Sequence, residues 1–184
     1  MKERPIIFNS EQVRAILEGR KTMMRRIVKS KYGKILGCLG NGLFQVPSIA
    51  KIPDKWSMHQ IKCPHGQVGD RLWVRETFNY DGEHGVVFFK ADGEKQCEKW
   101  KLSIHMPKWA SRITLEITDV RVERVQEIIL ADVEKEGIVD KPISAPEASS
   151  LFLKLWNSLY GKDAWERNDW VWVIEFRRVD NETK

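Results

Sequence analysis

A strand-like segment that starts near residue 113 restricts the folds open to this chain. Its apolar side chains alternate at Ile113, Leu115 and Ile117, and the alternation then changes phase to Val120 and Val122. Successive side chains of a strand point to opposite faces, so this phase change moves the apolar residues from one face to the other. A β-bulge or bend produces such a change, and a strand that turns its inward face midway suits a small closed barrel.

Other apolar patterns predict the remaining elements. Strands are predicted over residues 5–8, 22–28, 71–78, 86–90 and 170–176, and helices over residues 10–18, 129–136 and 147–160. The order shows no regular alternation of strand and helix, which argues against a doubly wound sheet. We therefore predict an α+β fold, built as a small, mostly antiparallel β-barrel with inserted helices.

The chain length favours one domain. Its 184 residues are enough for a single hydrophobic core, and no internal repeat or low-complexity tract divides them. Residues 30–69 contain several Gly and Pro residues and little periodicity, so an irregular excursion is expected there. We predict a single domain over residues 1–184.

Several features favour a cytoplasmic protein. No apolar run approaches the ~20 residues that a membrane span requires, and the N-terminus lacks the features of a signal peptide. Cys38, Cys63 and Cys97 form an odd and widely spaced set, which suits reduced thiols better than a disulfide framework.

Charge is distributed unevenly along the chain. Residues 1–34 contain ten Lys or Arg against three Glu, a balance of +7, whereas residues 115–140 contain eight acids against three bases, a balance of −5. Two interpretations are open at this point. The basic segment could form a surface for a polyanion, or the two segments could pair with each other.

Glu76 needs an explanation because of its position in a predicted strand. Alternation places it on the same face as Leu72, Val74 and Phe78. An ionised carboxylate among apolar neighbours requires a cationic or hydrogen-bonding partner. The sequence does not identify that partner.

Several separated segments resemble the ASCH superfamily, whose domains have a PUA-like β-barrel. The resemblance spans residues 5–179, is closest to bacterial and prophage members, and is carried by GRKTMMRR at 19–26, GDRLWVRE at 69–76, the strand at 113–125 with Glu136 and Gly137 beyond it, and WVIEF at 172–176. It implies a basic cleft between barrel and helices that binds RNA or a modified nucleoside. Gly19, Lys21 and Arg26 occupy the G-x-K motif that lines this cleft.

The resemblance also raises the question of an enzymatic role. One similar bacterial member is an acetylcytidine amidohydrolase with a catalytic lysine, threonine and glutamate. The lysine corresponds to Lys21, the glutamate to Glu136 and the threonine to Met24, with Glu76 as a further candidate carboxylate. A thioether cannot donate a hydrogen bond to an oxyanion, so Met24 departs from the catalytic pattern. Metal-assisted ribonuclease activity is a further possibility that some members of the superfamily suggest.

Candidate nucleic-acid contacts combine guanidinium groups with aromatic rings. Guanidinium groups bind phosphate bidentately, and aromatic faces stack on unpaired bases. The predicted binding residues are Arg20, Arg25, Arg26, Trp73, Arg75, Tyr80, His105, Trp109 and Arg112. His105, Trp109 and Arg112 lie in the polar, aromatic and basic segment 103–112, and we expect this segment to form a second wall of the cleft.

The pattern His59, Cys63 and His65 contains residue types that bind metals. A structural zinc site normally needs four ligands, and no second pair stands at a recognised spacing. We therefore predict a turn at residues 63–66, and neither a metal nor another cofactor is expected.

Overall fold

The computed structural model describes residues 1–30, 35–39, 42–47, 56–93, 97, 99–141 and 143–179. Its strands, in chain order, are β1 (Glu3–Ile7), β2 (Met23–Ile27), β3 (Gly37–Cys38), β4 (Leu43–Pro47), β5 (Trp56–Gln60), β6 (Arg71–Arg75), β7 (Phe78–Asp81), β8 (Val86–Phe89), β9 (Thr114–Arg124) and β10 (Trp170–Val179). Its α-helices are α1 (Ser10–Leu17), α2 (Leu130–Lys135) and α3 (Ala145–Tyr160). None of these helices is long and apolar enough to cross a bilayer.

A five-stranded sheet organises the molecule. Its strand order is β1-β6-β9-β10-β2, with β1 and β6 parallel and the other neighbours antiparallel. The prediction of a mostly antiparallel α+β fold is confirmed. The expected closure into a barrel is wrong for the residues that the structure describes, since β1 and β2 remain the two edges. Helix α1 connects these two edge strands along the chain. The strands also contact each other, because Arg26 Nη2 of β2 donates to the Ile7 carbonyl of β1 at 3.1 Å.

The predicted irregularity in β9 is present. Glu175 of β10 pairs with Asp119, whereas the next residue, Phe176, pairs with Ile117, so Thr118 is an extra residue in β9. The bulge keeps the apolar side chains of both halves of β9 on the face of the same hydrophobic core. Leu115 and Ile117 are buried in this core before the bulge, and Val120 and Val122 pack against it after the bulge.

Two hydrophobic cores lie on opposite faces of the sheet. On β10, Trp172, Ile174 and Phe176 enter the first core, while Val171 and Val173 enter the second. The second core is closed by α2 and α3, which contribute Val133, Ala148, Phe152 and Trp156. Burial on both faces explains why β10 reads as a continuous apolar run, as a central strand should.

Part of the segment at 30–69 is regular rather than irregular. Its described residues form a three-stranded antiparallel sheet in the order β3-β4-β5. Phe44 of β4 is fully buried and contacts Trp172 edge to face, with ring centroids 5.9 Å apart. The strands are short, which explains why periodicity did not reveal them. Residues 31–34, 40–41 and 48–55 lie outside the described part of the chain.

The first helix and the hairpin follow the local signals in the sequence. Asn9 is the N-cap of α1, where its side chain and that of Gln12 form a reciprocal capping box. Strands β7 and β8 form a hairpin, and the Asp81 carboxylate accepts the backbone N–H groups of Glu83 and His84 in its connection.

His65 provides a test of the packing around the first edge strand. It lies in the predicted turn, where Gly66 N–H donates to the Cys63 carbonyl. Burial, with a smaller contribution from the charges of Arg26 and Arg4, lowers the pKa of His65 from 6.5 to about 4. The unfolded chain therefore binds this proton more readily than the folded chain. Stability from a neutral His65 is complete above the unfolded pKa and is lost as the pH falls from 6.5 towards 4.

We expect the free energy of unfolding to fall between about pH 7.5 and about pH 5, and to fall by roughly 1 kcal/mol less in His65→Asn, after allowing for partial exposure. Urea unfolding at both pH values measures this difference. His105→Asn is the matched control, because His105 is an exposed histidine. A His65→Asn variant with the full pH dependence of the wild type would contradict the account.

Candidate functional site

Lys21 is buried between α1 and β2. Its backbone forms an isolated bridge with Glu136, and its N–H donates to the Ala15 carbonyl at 3.0 Å. The side chain is only 2% exposed. Its Nζ lies 2.7 Å from Glu136 Oε2, 3.0 Å from the Glu136 carbonyl and 2.7 Å from the Met23 carbonyl. All three N–H groups of the ammonium therefore have acceptors.

This environment determines what the Lys21 amine can do. Burial lowers the pKa of Lys21, the Glu136 carboxylate opposes that fall, and the charges of Arg26 and Arg25 reinforce it. A lysine acts as a nucleophile or base only when its nitrogen presents a lone pair to the substrate. Here three acceptors surround the nitrogen, so the amine is held as a structural hydrogen-bond donor.

Arg25 shares the same carboxylate from β2. Its Nη1 lies 3.3 Å from Glu136 Oε1, and its Nη2 lies 2.8 Å from Asp132 Oδ2 and 3.3 Å from Glu123 Oε2. The side chain is 1% exposed. Glu136 therefore bridges Lys21 and Arg25 through its two oxygens. Alternation along β2 sends Arg25 to the side of α2 and α3, where its guanidinium lies 5.9 Å from the Phe152 ring.

Arg121 of β9 extends this arrangement along the sheet. It pairs with Glu123 at 2.5 Å, Glu175 at 2.7 Å, Asp119 at 3.0 Å and Asp132 at 3.5 Å. Lys135 also pairs with Glu175, at 3.2 Å. We call this set the charge network: Lys21, Arg25, Arg121, Lys135, Asp119, Glu123, Asp132, Glu136 and Glu175.

The charge network decides between the two interpretations of the charge pattern. Buried cations from the basic segment pair with carboxylates from the acidic segment at 115–140, as Lys21 does with Glu136 and Arg25 does with Asp132. The remaining motif cations also contact protein groups. Arg20 Nη1 donates to the Gly137 carbonyl at 2.8 Å, and Arg26 lies 5.7 Å from the Phe8 ring. These side chains do not form an open surface for phosphate.

Glu76 belongs to a different cluster. Its carboxylate oxygens lie 3.0 and 3.1 Å from Nε and Nη2 of Arg112, which also binds Asp92 through two bonds of 2.7 and 2.8 Å. The Arg112 guanidinium stacks 3.9 Å from the Phe89 ring. Burial raises the pKa of Glu76, and Arg112 opposes that rise. The required cationic partner is therefore Arg112, and Glu76 does not share the carboxylate position that Glu136 takes beside Lys21.

Met24 lies in the first hydrophobic core and is almost fully buried. This is the position that the family resemblance assigns to a catalytic threonine. A thioether suits a core position, so the substitution is consistent with a packing role for residue 24.

A cavity of about 450 Å³ lies beside the G-x-K motif. It is lined by Asn9, Glu11, Gln12, Arg14, Glu18, Arg20, Glu136, Gly137, Ile138, Asp140 and Leu155. Four carboxylates face two guanidinium groups in this lining, so the cleft carries a net negative charge. Arg20 is also held by Glu18. This lining does not by itself support the basic cleft expected at this position, which stays a prediction.

Aromatic and basic residues gather on another part of the molecule. Trp109 is 64% exposed and meets Tyr80 edge to face, with centroids 4.9 Å apart. Arg75 lies 5.5 Å from the Trp73 ring and donates to the Ile104 carbonyl. We define the aromatic–basic surface as Trp73, Arg75, Tyr80, Lys101, His105, Lys108 and Trp109.

The backbone holds the aromatic–basic surface together. Phe78 and Lys101 exchange two backbone hydrogen bonds, of 3.1 and 2.8 Å, which fix the start of segment 101–112 against β7. Lys108 pairs with Glu3 of β1. Lys101 and Lys108 were not among the predicted binding residues, although the basic composition of this segment was a usable signal.

The described residues contain no candidate metal site. In the parts of the chain with defined placement, no three His, Cys, Asp or Glu side chains form a cluster that could hold a metal ion. His59 instead contacts Ser57 Oγ at 3.1 Å.

Comparisons with known proteins yield one match of interest. No family model and no curated protein matches the chain. A search of solved structures finds the crystal structure of an ASCH domain from Lactobacillus crispatus, with 12% identity and a TM-score of 0.47, covering 96% of this chain and 79% of that one. The chain is similar to an ASCH domain. This is the family that the motifs in the sequence resemble, and at such low identity the match transfers no ligand or activity.

Gly137 tests the close approach at the charge network. Its φ is +70°, and an added Cβ would lie 2.8 Å from Lys21 Cβ and 3.0 Å from Ala15 Cβ. Gly19 is the matched control, because its φ is +77° and an added Cβ would have no neighbour within 4 Å. We expect Gly137→Ala to lower the free energy of unfolding by about 1–3 kcal/mol more than Gly19→Ala, because the backbone strain is shared and only the clash differs. Equal losses in urea unfolding would contradict this packing.

Lys21 tests whether the amine is structural. We expect Lys21→Met to lower the free energy of unfolding by about 3 kcal/mol, because part of the Glu136 carboxylate loses its buried partner. Lys29→Met is the control, since Lys29 is exposed. Chemical denaturation of both variants measures the difference. A Lys21→Met variant as stable as Lys29→Met would show that the amine does not hold the fold.

Proposed function

We propose that this chain is an ASCH-type domain that binds single-stranded RNA through the aromatic–basic surface. The observation that carries the proposal is the exposed Trp109 ring, which contacts Tyr80 edge to face on a segment that also carries the exposed Lys101 and His105. Unpaired bases stack on exposed aromatic rings, whereas the bases of a duplex are already stacked. A single strand is therefore the form of RNA that suits this surface.

The charges of the surface support the same proposal. Lys101 and His105 are exposed, and Arg75 is half-buried beside Trp73. Among the described residues, Arg75 donates to the Ile104 carbonyl through Nη2 and buries its Nε, so Nη1 is the nitrogen left for another acceptor. Cations next to stacking rings are the combination that binds the backbone and the bases of a single strand together.

The charge network and its cavity are less suited to a polyanion. The buried cations Lys21 and Arg25 are already paired, and the adjacent cavity is lined by more acids than bases. A phosphate chain entering there would meet Glu18 and Asp140. We therefore assign RNA binding to the aromatic–basic surface rather than to the cleft beside the motif.

A second candidate is hydrolysis of the acyl amide of acetylated cytidine. The observation that favours it is the 2.7 Å contact between Lys21 Nζ and Glu136, next to a cavity of about 450 Å³ that suits an uncharged nucleoside better than RNA. Catalysis would require Lys21 to leave its carbonyl acceptors, Met23 and Glu136. Incubation of the purified protein with acetylcytidine tests this candidate. Absence of deacetylation by the wild type would remove it.

The RNA-binding proposal predicts a large effect of Trp109. We expect Trp109→Ala to weaken binding of a fluorescently labelled single-stranded RNA by about tenfold, because one stacking contact contributes about 1–3 kcal/mol. Fluorescence anisotropy measures the affinity. Ile129→Ala is the control, because Ile129 is a similarly exposed apolar residue on another element. Equal affinities for Trp109→Ala and Ile129→Ala would contradict the proposal.

Salt dependence provides a second readout of the same binding. We expect Lys101→Gln to reduce the slope of log affinity against log salt by about one, since one phosphate contact is lost. Lys154→Gln, which removes an exposed charge on α3, should leave the slope unchanged. Binding by the wild type that does not respond to salt would count against an RNA ligand.

A further inference from the structure

A second cavity lies far from the aromatic–basic surface. Its volume is about 200 Å³, and it is lined by Val28, Ser30, Ile35, Arg124, Arg167, Asp169 and Trp170. Trp170 is the first residue of β10, whereas Val179 at the other end pairs with Thr114, the neighbour of Trp73. Ten strand residues span roughly 30 Å, so the two sites lie near opposite ends of the sheet.

Arg124 gives this cavity a fixed cationic wall. Its guanidinium carbon lies 4.2 Å from the Trp170 ring centre, and its Nη1 donates to the Asn168 carbonyl at 2.9 Å. Stacking on one side and a carbonyl contact on the other hold the group in place. Considering only the described part of the chain, one guanidinium N–H group of five is used by these contacts.

Arg167 provides a second cation at the mouth of the cavity. Its Nε pairs with Asp169 at 3.1 Å, and its Nη2 lies 3.4 Å from the Tyr160 carbonyl. The side chain is 45% exposed, so it can adjust to a ligand. Asp169 offsets one of the two positive charges, and the lining retains a net charge of +1.

Trp170 adds an unusual polar group to the same lining. Its indole Nε1 is buried and, within the described ranges, has no hydrogen-bond partner. A buried donor without an acceptor is destabilising, so such groups are rare in folded proteins. The buried nitrogen is not a contact for a ligand, but the ring that carries it stacks on the Arg124 guanidinium.

We propose that this cavity binds a phosphate group. The guanidinium groups of Arg124 and Arg167 are planar donors that match the oxygens of phosphate. Val28 and Ile35 add apolar groups to the lining, and the Asp169 carboxylate in it is paired with Arg167. The volume accommodates one phosphate group and a few water molecules, which occupy ~30 Å³ each. The phosphate is either free inorganic phosphate or the phosphate of a nucleotide.

The experiment follows the indole N–H group directly. The protein has eight tryptophans, and their indole ¹H–¹⁵N signals can be resolved by NMR and that of Trp170 assigned with Trp170→Phe. Inorganic phosphate is titrated at constant ionic strength, with chloride as the balancing anion. We expect a saturable shift of the Trp170 signal and no shift of the Trp109 signal. No shift of Trp170, or a shift that does not saturate, would overturn the proposal.

Charge variants separate a specific site from a general ionic effect. Arg167→Gln should weaken phosphate binding at least fivefold, whereas Arg177→Gln, which removes an exposed charge near the other end of β10, should leave it unchanged. Because Arg167 is partly exposed, its substitution is expected to preserve the fold, which the dispersion of the other indole signals verifies. Equal phosphate affinity in the two variants would show an adventitious ion only, and would overturn the proposal.

Three ligands identify the source of the phosphate. Equal binding of inorganic phosphate and a nucleoside monophosphate indicates recognition of the phosphate alone, whereas tighter binding of the monophosphate indicates a nucleotide. An equal shift caused by the nucleoside without phosphate would overturn the proposal. This site is independent of the RNA-binding surface, so Trp109→Ala should leave the phosphate titration unchanged whether or not RNA binds at Trp109.

Discussion

The contact between the Lys21 ammonium and the Glu136 carboxylate constrains the rest of the structure. A buried charge is costly unless an opposite charge and hydrogen bonds compensate it. Lys21 meets this requirement only because the end of α2 brings both the carboxylate and the carbonyl of Glu136 to its Nζ. Arg25 of β2 forms a second buried ion pair, with Asp132 of α2. The two ion pairs hold α2 against β2 over the second core. The position of α2 against the sheet therefore depends on these two buried ion pairs.

This coupling separates the charges that maintain the fold from those open to a ligand. The basic motif near residue 21 belongs to the first group, because its buried cations are neutralised by the acidic segment. The aromatic–basic surface belongs to the second, because the Trp109 ring and the Lys101 side chain remain exposed. A strongly basic stretch of sequence thus need not be the place where a polyanion binds, and the less charged segment 101–112 is the better candidate.

Local periodicity predicted most of the central sheet, whereas long-range pairing was beyond it. The phase change after Ile117 predicted the bulge, since side-chain direction in a strand depends only on neighbouring residues. The partner of Glu76 was not predictable in this way, because Arg112 lies 36 positions further along the chain. The expected closure of the barrel failed for the same reason. The two opposite charge balances were visible in the sequence, but only coordinates show that Arg25 meets Asp132.

A double-mutant cycle on Lys21 and Glu136 tests the central claim most directly. The free energies of unfolding of Lys21→Met, Glu136→Gln and the double variant are compared with that of the wild type. If the pair is a structural element of the fold, the coupling energy is about 2 kcal/mol or more, because each single variant leaves a buried group short of its partner. A coupling energy near zero would contradict the account, because it would show that the basic motif contributes its charge to something other than the fold.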